Sequence, residues 1–368
     1  MDAVRELALI DAPMTLALGG LFVGFIFGLI VLKTNFCAMG SVSDIMMFGD
    51  YRRFRAWLLA GATAILGVQL LQFAGVVDTG QSMFVSPGIS WLANVFGGVL
   101  FGVGMVLAGG CVSRNLVRAG TGDMRSLFIL MVVAAFAYMT IGGIFGPLRS
   151  IIQQSALFGP SNFGLASQSA GSLASGLLDV SPRAGGWLSA SLIAGLVLLY
   201  CFKDASFRRS PPHLIAGFGI GACIIAGWAI TGLSFDEFAD QPHPPISLTF
   251  VRPAGDTLEY LRRFTADSTL RFGVATVFGA LAGTLAGAVL TGRFHLATFA
   301  DNKDTLRNLA GAALMGIGGV LALGCTIGQA ITGVSTLALG SFITFGSIVV
   351  GAVIGIKLLE KLAQGGAH

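Results

Sequence analysis

The amino-acid sequence predicts an all-α membrane protein of about nine transmembrane helices, with short re-entrant helices between them. Three observations predict it. Of the 368 residues, 54% are hydrophobic and only 11% are charged, against roughly 25% charge in soluble domains. Apolar runs recur along the whole chain, most of them near the length that crosses a hydrocarbon core at about 1.5 Å per residue. No strand alternation of the outer-membrane barrel kind is present. Residues 1–368 read as a single integral membrane domain.

Taken in order, the first apolar run covers 14–32. More runs follow and no cleavage site closes it, so it reads as a span and not a removable signal. The segment KTNFCAMGSVSD, 33–44, comes directly after it and mixes polar residues with glycine. Irregular backbone at membrane depth survives only where it is buried in protein or lines a wet cavity. This segment therefore predicts a broken or re-entrant helix. Runs follow at 56–77, 91–109 and 126–146; the second ends in a Gly-Gly-Cys step at Cys111. Two more, 187–202 and 213–232, flank Lys203, Arg208 and Arg209. A mixed-charge stretch, 241–268, leads into 270–291. The run 309–324 ends in a second Gly-Cys step, at Cys325, and 341–357 closes the series.

The net charge of +4 is spread in short basic clusters between spans, among them Arg52, Arg53 and Arg55. Such clusters mark cytoplasmic loops. The loops 51–55 and 203–209 then face the cytoplasm, and 146–186 and 233–268 face the opposite side with the N-terminus. Nothing in this pattern indicates nucleic-acid binding. The five cysteines form no CxxC pair and the four histidines are scattered, so neither a disulfide framework nor a metal site is expected. No phosphate-binding Walker loop occurs. No cofactor is expected.

An internal repeat stands out. GGVLFGVGMVLAGGC, 97–111, aligns with GAALMGIGGVLALGC, 311–325, at nine identical positions, four of them glycine. Glycine costs up to about 1 kcal/mol in a helix interior, so its repeated use in an apolar helix predicts close backbone approach. A weaker match sets VLKTNFCAMG, 31–40, against VLTGRFHLAT, 289–298, with Cys37 opposite His295. Two related halves, about 14–150 and 270–360, are expected, with the spans 187–232 between them. Repeated membrane halves usually hold their functional site at the repeat interface.

Cys37, Cys111 and Cys325 each sit at a predicted helix break. A thiol is a soft, weak hydrogen-bond donor. A file of neutral thiols can hand on a soft anion without binding it too tightly to leave. Gly110 and Gly324 precede two of these cysteines. Asn115 and Gln329 follow them by four residues and fit either helix packing or substrate contact. Arg114 and Arg118 fit either an interfacial, topology-setting role or attraction of an anion. Cys201 and Cys223 lie in plain apolar runs and read as small buried hydrophobes. His295 reads as interfacial.

NFCAMG around Cys37, GGC at Cys111 and GC at Cys325, on a glycine-rich multispanning chain, resemble the YeeE/YedE sulfur-transport family over nearly the whole length. The resemblance implies a bacterial inner-membrane protein with an hourglass-like bundle of pseudo-symmetric halves. It implies uptake of thiosulfate, relayed by S–H···S bonds among Cys37, Cys111 and Cys325. It also implies a small TusA-like sulfur-carrier protein on the cytoplasmic side. The alternatives are a selenium compound or another sulfur anion as cargo, or a membrane sulfurtransferase carrying persulfide on a cysteine.

Overall fold

The computed structural model describes residues 2–86, 88–159, 167–237, 243–299 and 301–365. Parts of both predicted outer loops, 160–166 and 238–242, therefore lie outside the described residues. The chain is an all-α membrane protein, and among the described residues eight helical stretches are long and apolar enough to cross a bilayer. The helices are α1 (Asp2–Ile10), α2 (Ala12–Thr34), α3 (Ala38–Phe48), α4 (Arg52–Phe73), α5 (Trp91–Leu107), α6 (Val112–Gly120), α7 (Met124–Ile141) and α8 (Gly146–Ser155). They continue as α9 (Ala170–Leu178), α10 (Pro182–Phe202), α11 (Ala205–Arg208), α12 (Pro211–Leu233), α13 (Val251–Arg263), α14 (Phe272–Leu290), α15 (Asn302–Leu321) and α16 (Leu339–Gly365). A π-helical turn spans Gly328–Gly333. The apolar run 309–324 forms most of α15, whose first turns carry Lys303, Asp304 and Arg307 and so fall outside the eight. A two-residue strand pair, β1 (Ile89–Ser90) with β2 (Leu157–Phe158), ties the start of α5 to the end of α8.

Glycine decides which helices meet. A Cβ at Gly97 would lie 2.8 Å from the Gly318 carbonyl, and one at Gly318 would lie 2.7 Å from that of Gly97. Gly104 and Gly311 face each other in the same way, at 2.7 and 2.6 Å. In the aligned repeat Gly97 matches Gly311 and Gly104 matches Gly318. Exchanging the two copies therefore turns each contact into the other, which is the mark of a two-fold contact. The stripe predicted for close approach is the α5–α15 seam. A second seam joins α2 to α14, where a Cβ at Gly24 would lie 2.4 Å from the Thr276 carbonyl. Around these seams α4 packs on α12, α16 on α5 and α7 on α15. The short helix α3 lies on α4 and α16, and α13 lies on α14 and α7.

The loop charges separate as the topology predicts. Arg55 pairs with Asp204 and stacks over Tyr200, 5.2 Å from its centroid, so the 51–55 and 203–209 clusters meet at one end of the bundle. At the other end, a cavity of about 320 Å³ is walled by Arg149 of the first outer loop and by His243 to Asp256 of the second.

Candidate functional site

Three helices break near the centre, and each break carries a cysteine. The first ends α2, where Asn35 adopts the left-handed conformation, φ 52°. Asparagine tolerates that geometry better than most residues. Cys37 then caps α3, its sulfur accepting the Gly40 N–H at 3.4 Å. The second break follows α5. Gly109 turns the chain at φ 68° and Cys111 caps α6. The third follows α15, where Leu323 holds the same left-handed turn at φ 59°. Gly109 and Leu323 are equivalent in the repeat, so both halves make one turn from different residues. For leucine that conformation costs roughly 1–2 kcal/mol. The Cys325 sulfur accepts the Gly328 N–H at 3.4 Å, repeating the arrangement at Cys37.

The three cysteines are buried, at 8%, 2% and 0% exposure for Cys37, Cys111 and Cys325. The Cys37 and Cys111 thiols are neighbours, and the buried Thr326 hydroxyl, which has no hydrogen-bond partner among the described residues, lies beside Cys111. Ser113 Oγ lies 3.2 Å from the Cys111 sulfur. Cys325, one residue before Thr326, completes the cluster, beside the Phe250 N–H. The site is thus a knot of soft and hydroxyl donors where three helix starts converge. Helix starts present unpaired N–H groups and favour an anion.

Asn115 and Gln329 hold the loops. Asn115 is fully buried and donates to the carbonyls of Gly110, at 2.8 Å, and Cys111, at 3.2 Å, while Ser126 donates to its Oδ1 at 3.0 Å. Gln329 donates to the Ala322 carbonyl at 2.6 Å. Each amide therefore latches the turn before its cysteine. Gly110 and Gly324 lie under these latches: an added Cβ would come within 3.1 Å of Arg114 and Gln329 side-chain carbons, respectively. Arg114 reaches back from α6 to the first break and donates to Asn35 Oδ1 at 3.1 Å. Among the described residues it has no carboxylate partner, and its charge lies near Cys37 and Cys111. Arg118 donates to the Gly109 carbonyl at 2.8 Å. His295, by contrast, lies exposed in the loop after α14, its N–H on the Thr121 carbonyl, away from Cys37.

Sequence reasoning did not find the outer cavity. Its floor is Leu323 and Gly324, the turn just before Cys325, and its walls bring Arg149, Arg252 and Arg271 together. Arg149 Nε is buried without a partner, and no carboxylate pairs with this arginine among the described residues. Arg271 and Asp267 are 3.6 Å apart and both half exposed. The cavity thus offers a positive mouth leading to the third cysteine. The signal was spread over three loops far apart in sequence, none with a motif.

Comparison with known proteins fits this arrangement. The family described as Sulphur transport matches residues 33–354. The thiosulfate transporter TsuA of Spirochaeta thermophila is 28% identical over 335 residues, covering 88% of this chain and 93% of that protein. The thiosulfate transporter TsuA of Escherichia coli K12 is 25% identical, covering 86% of each. A probable transporter, YedE of E. coli K12, is 32% identical over 101 residues, 27% of this chain.

Proposed function

The chain belongs to the sulphur transport family, and we propose on that premise that it carries thiosulfate across the bilayer by passing it from thiol to thiol. The observation that carries this reading is the meeting of Cys37, Cys111 and Thr326 beside an arginine with no carboxylate partner, with Cys325 one residue away. The terminal sulfur of thiosulfate is a soft acceptor. Neutral thiols donate to it weakly, one after another, so no station holds it for long. Thiolates would repel it, and a metal or cofactor is not needed for the step. Arg114 supplies charge from one side of the cluster and the outer cavity supplies it from the other. Asn115 and Gln329 act as positioning residues for the two central turns. The cargo enters from the cavity side and leaves toward the Arg52 and Lys203 loops. A TusA-like sulfur carrier is the proposed acceptor there.

The test is uptake by proteoliposomes of purified protein, with labelled thiosulfate and a competition series of sulfate, sulfite and selenite. Thiosulfate should be taken up and should be the best competitor. Saturable uptake of selenite without thiosulfate uptake would replace the cargo.

Arg149→Gln should raise the half-saturating thiosulfate concentration about threefold to tenfold with little change in maximal rate, because a positive mouth concentrates an anion. The difference should shrink at high salt, as screening shortens to ~3 Å at 1 M. Equal concentration dependence in both proteins at low salt would remove Arg149 from the entry path.

A further inference from the structure

The cavity wall holds titratable side chains that the thiol pathway does not use. Tyr138, on α7, turns its phenol toward two carboxyl groups of α13. Its oxygen lies 2.7 Å from Asp256 Oδ1 and also within hydrogen-bond distance of Glu259 Oε2. A phenol has one proton to donate. It satisfies one carboxylate, so the second carboxyl must bring its own proton, or two oxygens face each other with none between them.

The surrounding charges decide which carboxyl carries it. Glu259 keeps Arg263 at 3.2 Å and Arg262 at 3.9 Å. Asp256 has Arg252 at 3.8 Å, on a largely exposed side chain. Glu259 is therefore the more firmly ionised partner, and Asp256 is the carboxyl that takes up a proton first as pH falls; ionised it accepts from the phenol, and protonated it can donate to the phenol oxygen. Burial pushes the Asp256 carboxyl above its ordinary range, while Tyr138 and Arg263 hold Glu259 below its own.

Asp256 is also the acidic residue that lines the outer cavity, opposite Arg149 and Arg271. An ionised carboxylate there opposes an entering anion; a protonated one does not. We propose that Asp256 is a proton-binding site linked to anion occupancy of the outer cavity, each bound sulfur oxyanion drawing a proton onto it. This rests on the reading of the chain as a thiosulfate carrier. Linkage is reciprocal, so protonation of Asp256 tightens anion binding by the same factor. The other groups facing it do not replace it. Arg252 and Arg263 share its helix, Arg271 and Asp267 precede α14, and α15 brings only Gly319 and Val320 to the cavity. His243 is held below its ordinary range by partial burial and by Arg271, so it is neutral at pH 7.

The test uses the purified full chain in detergent. Thiosulfate binding is followed by calorimetry from pH ~5 to ~8 in buffers of different ionisation enthalpy, which reports protons taken up. The wild type should take up protons on binding, with affinity tightening by up to about tenfold per pH unit as pH falls, the limit for one linked proton. Asp256→Asn should bind thiosulfate with no proton uptake and a flat pH profile. Tyr138→Phe should keep the linkage but move it to higher pH, because the phenol's donated hydrogen bond favours the ionised Asp256, a shift that packing loss alone would not produce. Binding without proton uptake in the wild type, or unchanged uptake in Asp256→Asn, overturns the proposal. Infrared titration needs no anion: as pH falls, the C=O stretch of a protonated acid should appear in the wild type and stay missing in Asp256→Asn. A chain that shows this band but binds no thiosulfate leaves the acid in place and removes the cargo. A chain without the band overturns the acid itself.

Discussion

Bacteria that lack sulfate uptake and depend on this chain for growth on thiosulfate should stop growing when Cys111 or Cys325 is replaced by alanine. The loss should be at least tenfold in uptake rate, about 1.4 kcal/mol or more in the barrier. Alanine removes the only polarisable donor at each turn and leaves the latches from Asn115 and Gln329 in place. Membrane levels should therefore stay near wild type, and they must be measured beside growth. Cys201→Ala is the control. Its sulfur is fully buried and reaches only the Arg55 carbonyl, at 3.4 Å, at the end of the bundle away from the cavity. Cys111→Ser separates donor from softness: a hydroxyl there still donates but does not match a sulfur acceptor, so uptake should stay low. Normal growth of Cys111→Ala and Cys325→Ala at equal protein level would sink the relay.

The second large effect falls on the α5–α15 seam. Gly104→Val should abolish recovery of monodisperse protein. Its Cβ would sit 2.7 Å from the Gly311 carbonyl and 2.8 Å from the Met315 nitrogen, both backbone atoms. Overpacking costs typically ~1–3 kcal/mol when side chains can yield, and here the obstacle cannot. Gly195→Ala and Gly346→Ala are the contrast: nothing lies within 4 Å of an added Cβ at either. They should be neutral or stabilise by up to about 1 kcal/mol. Size-exclusion of detergent extracts with a thermal step decides it. If Gly104→Val runs as wild type, the glycine stripe is not what sets the distance between the helices.

Much of the fold was legible because bilayer physics writes it in composition. Run length gave the spans, the loop charges gave which loops share an end of the bundle, and the 97–111 and 311–325 match located the seam. The breaks at Cys37, Cys111 and Cys325 were legible too, since polar residues and glycine interrupt apolar helices there. The partners of Cys37 were not. A short match of ten residues set it against His295, but that loop is exposed. The packing of α3 on α4 and α16, and of α13 on α14 and α7, points to a different reading. We propose that the halves run 12–141 and 211–365, so that Phe250, capping α13, stands where Cys37 caps α3. Asn115 and Gln329 could not be assigned from spacing, because a latch and a ligand need the same amide. The cavity arginines were invisible for want of any local pattern.

The outer cavity has an electrical consequence. It descends to Gly324, so water and ions reach almost to Cys325 from one face. A conducting medium carries little of a voltage drop, and the membrane field therefore falls mainly across the protein from Gly324 inward. An inside-negative potential opposes a dianion by about 4.6 kcal/mol per 100 mV, twice the ~2.3 kcal/mol for one charge. Most of that hill is met from the Cys325 turn inward. Depolarising the vesicles should thus speed uptake through the same few side chains that select the cargo.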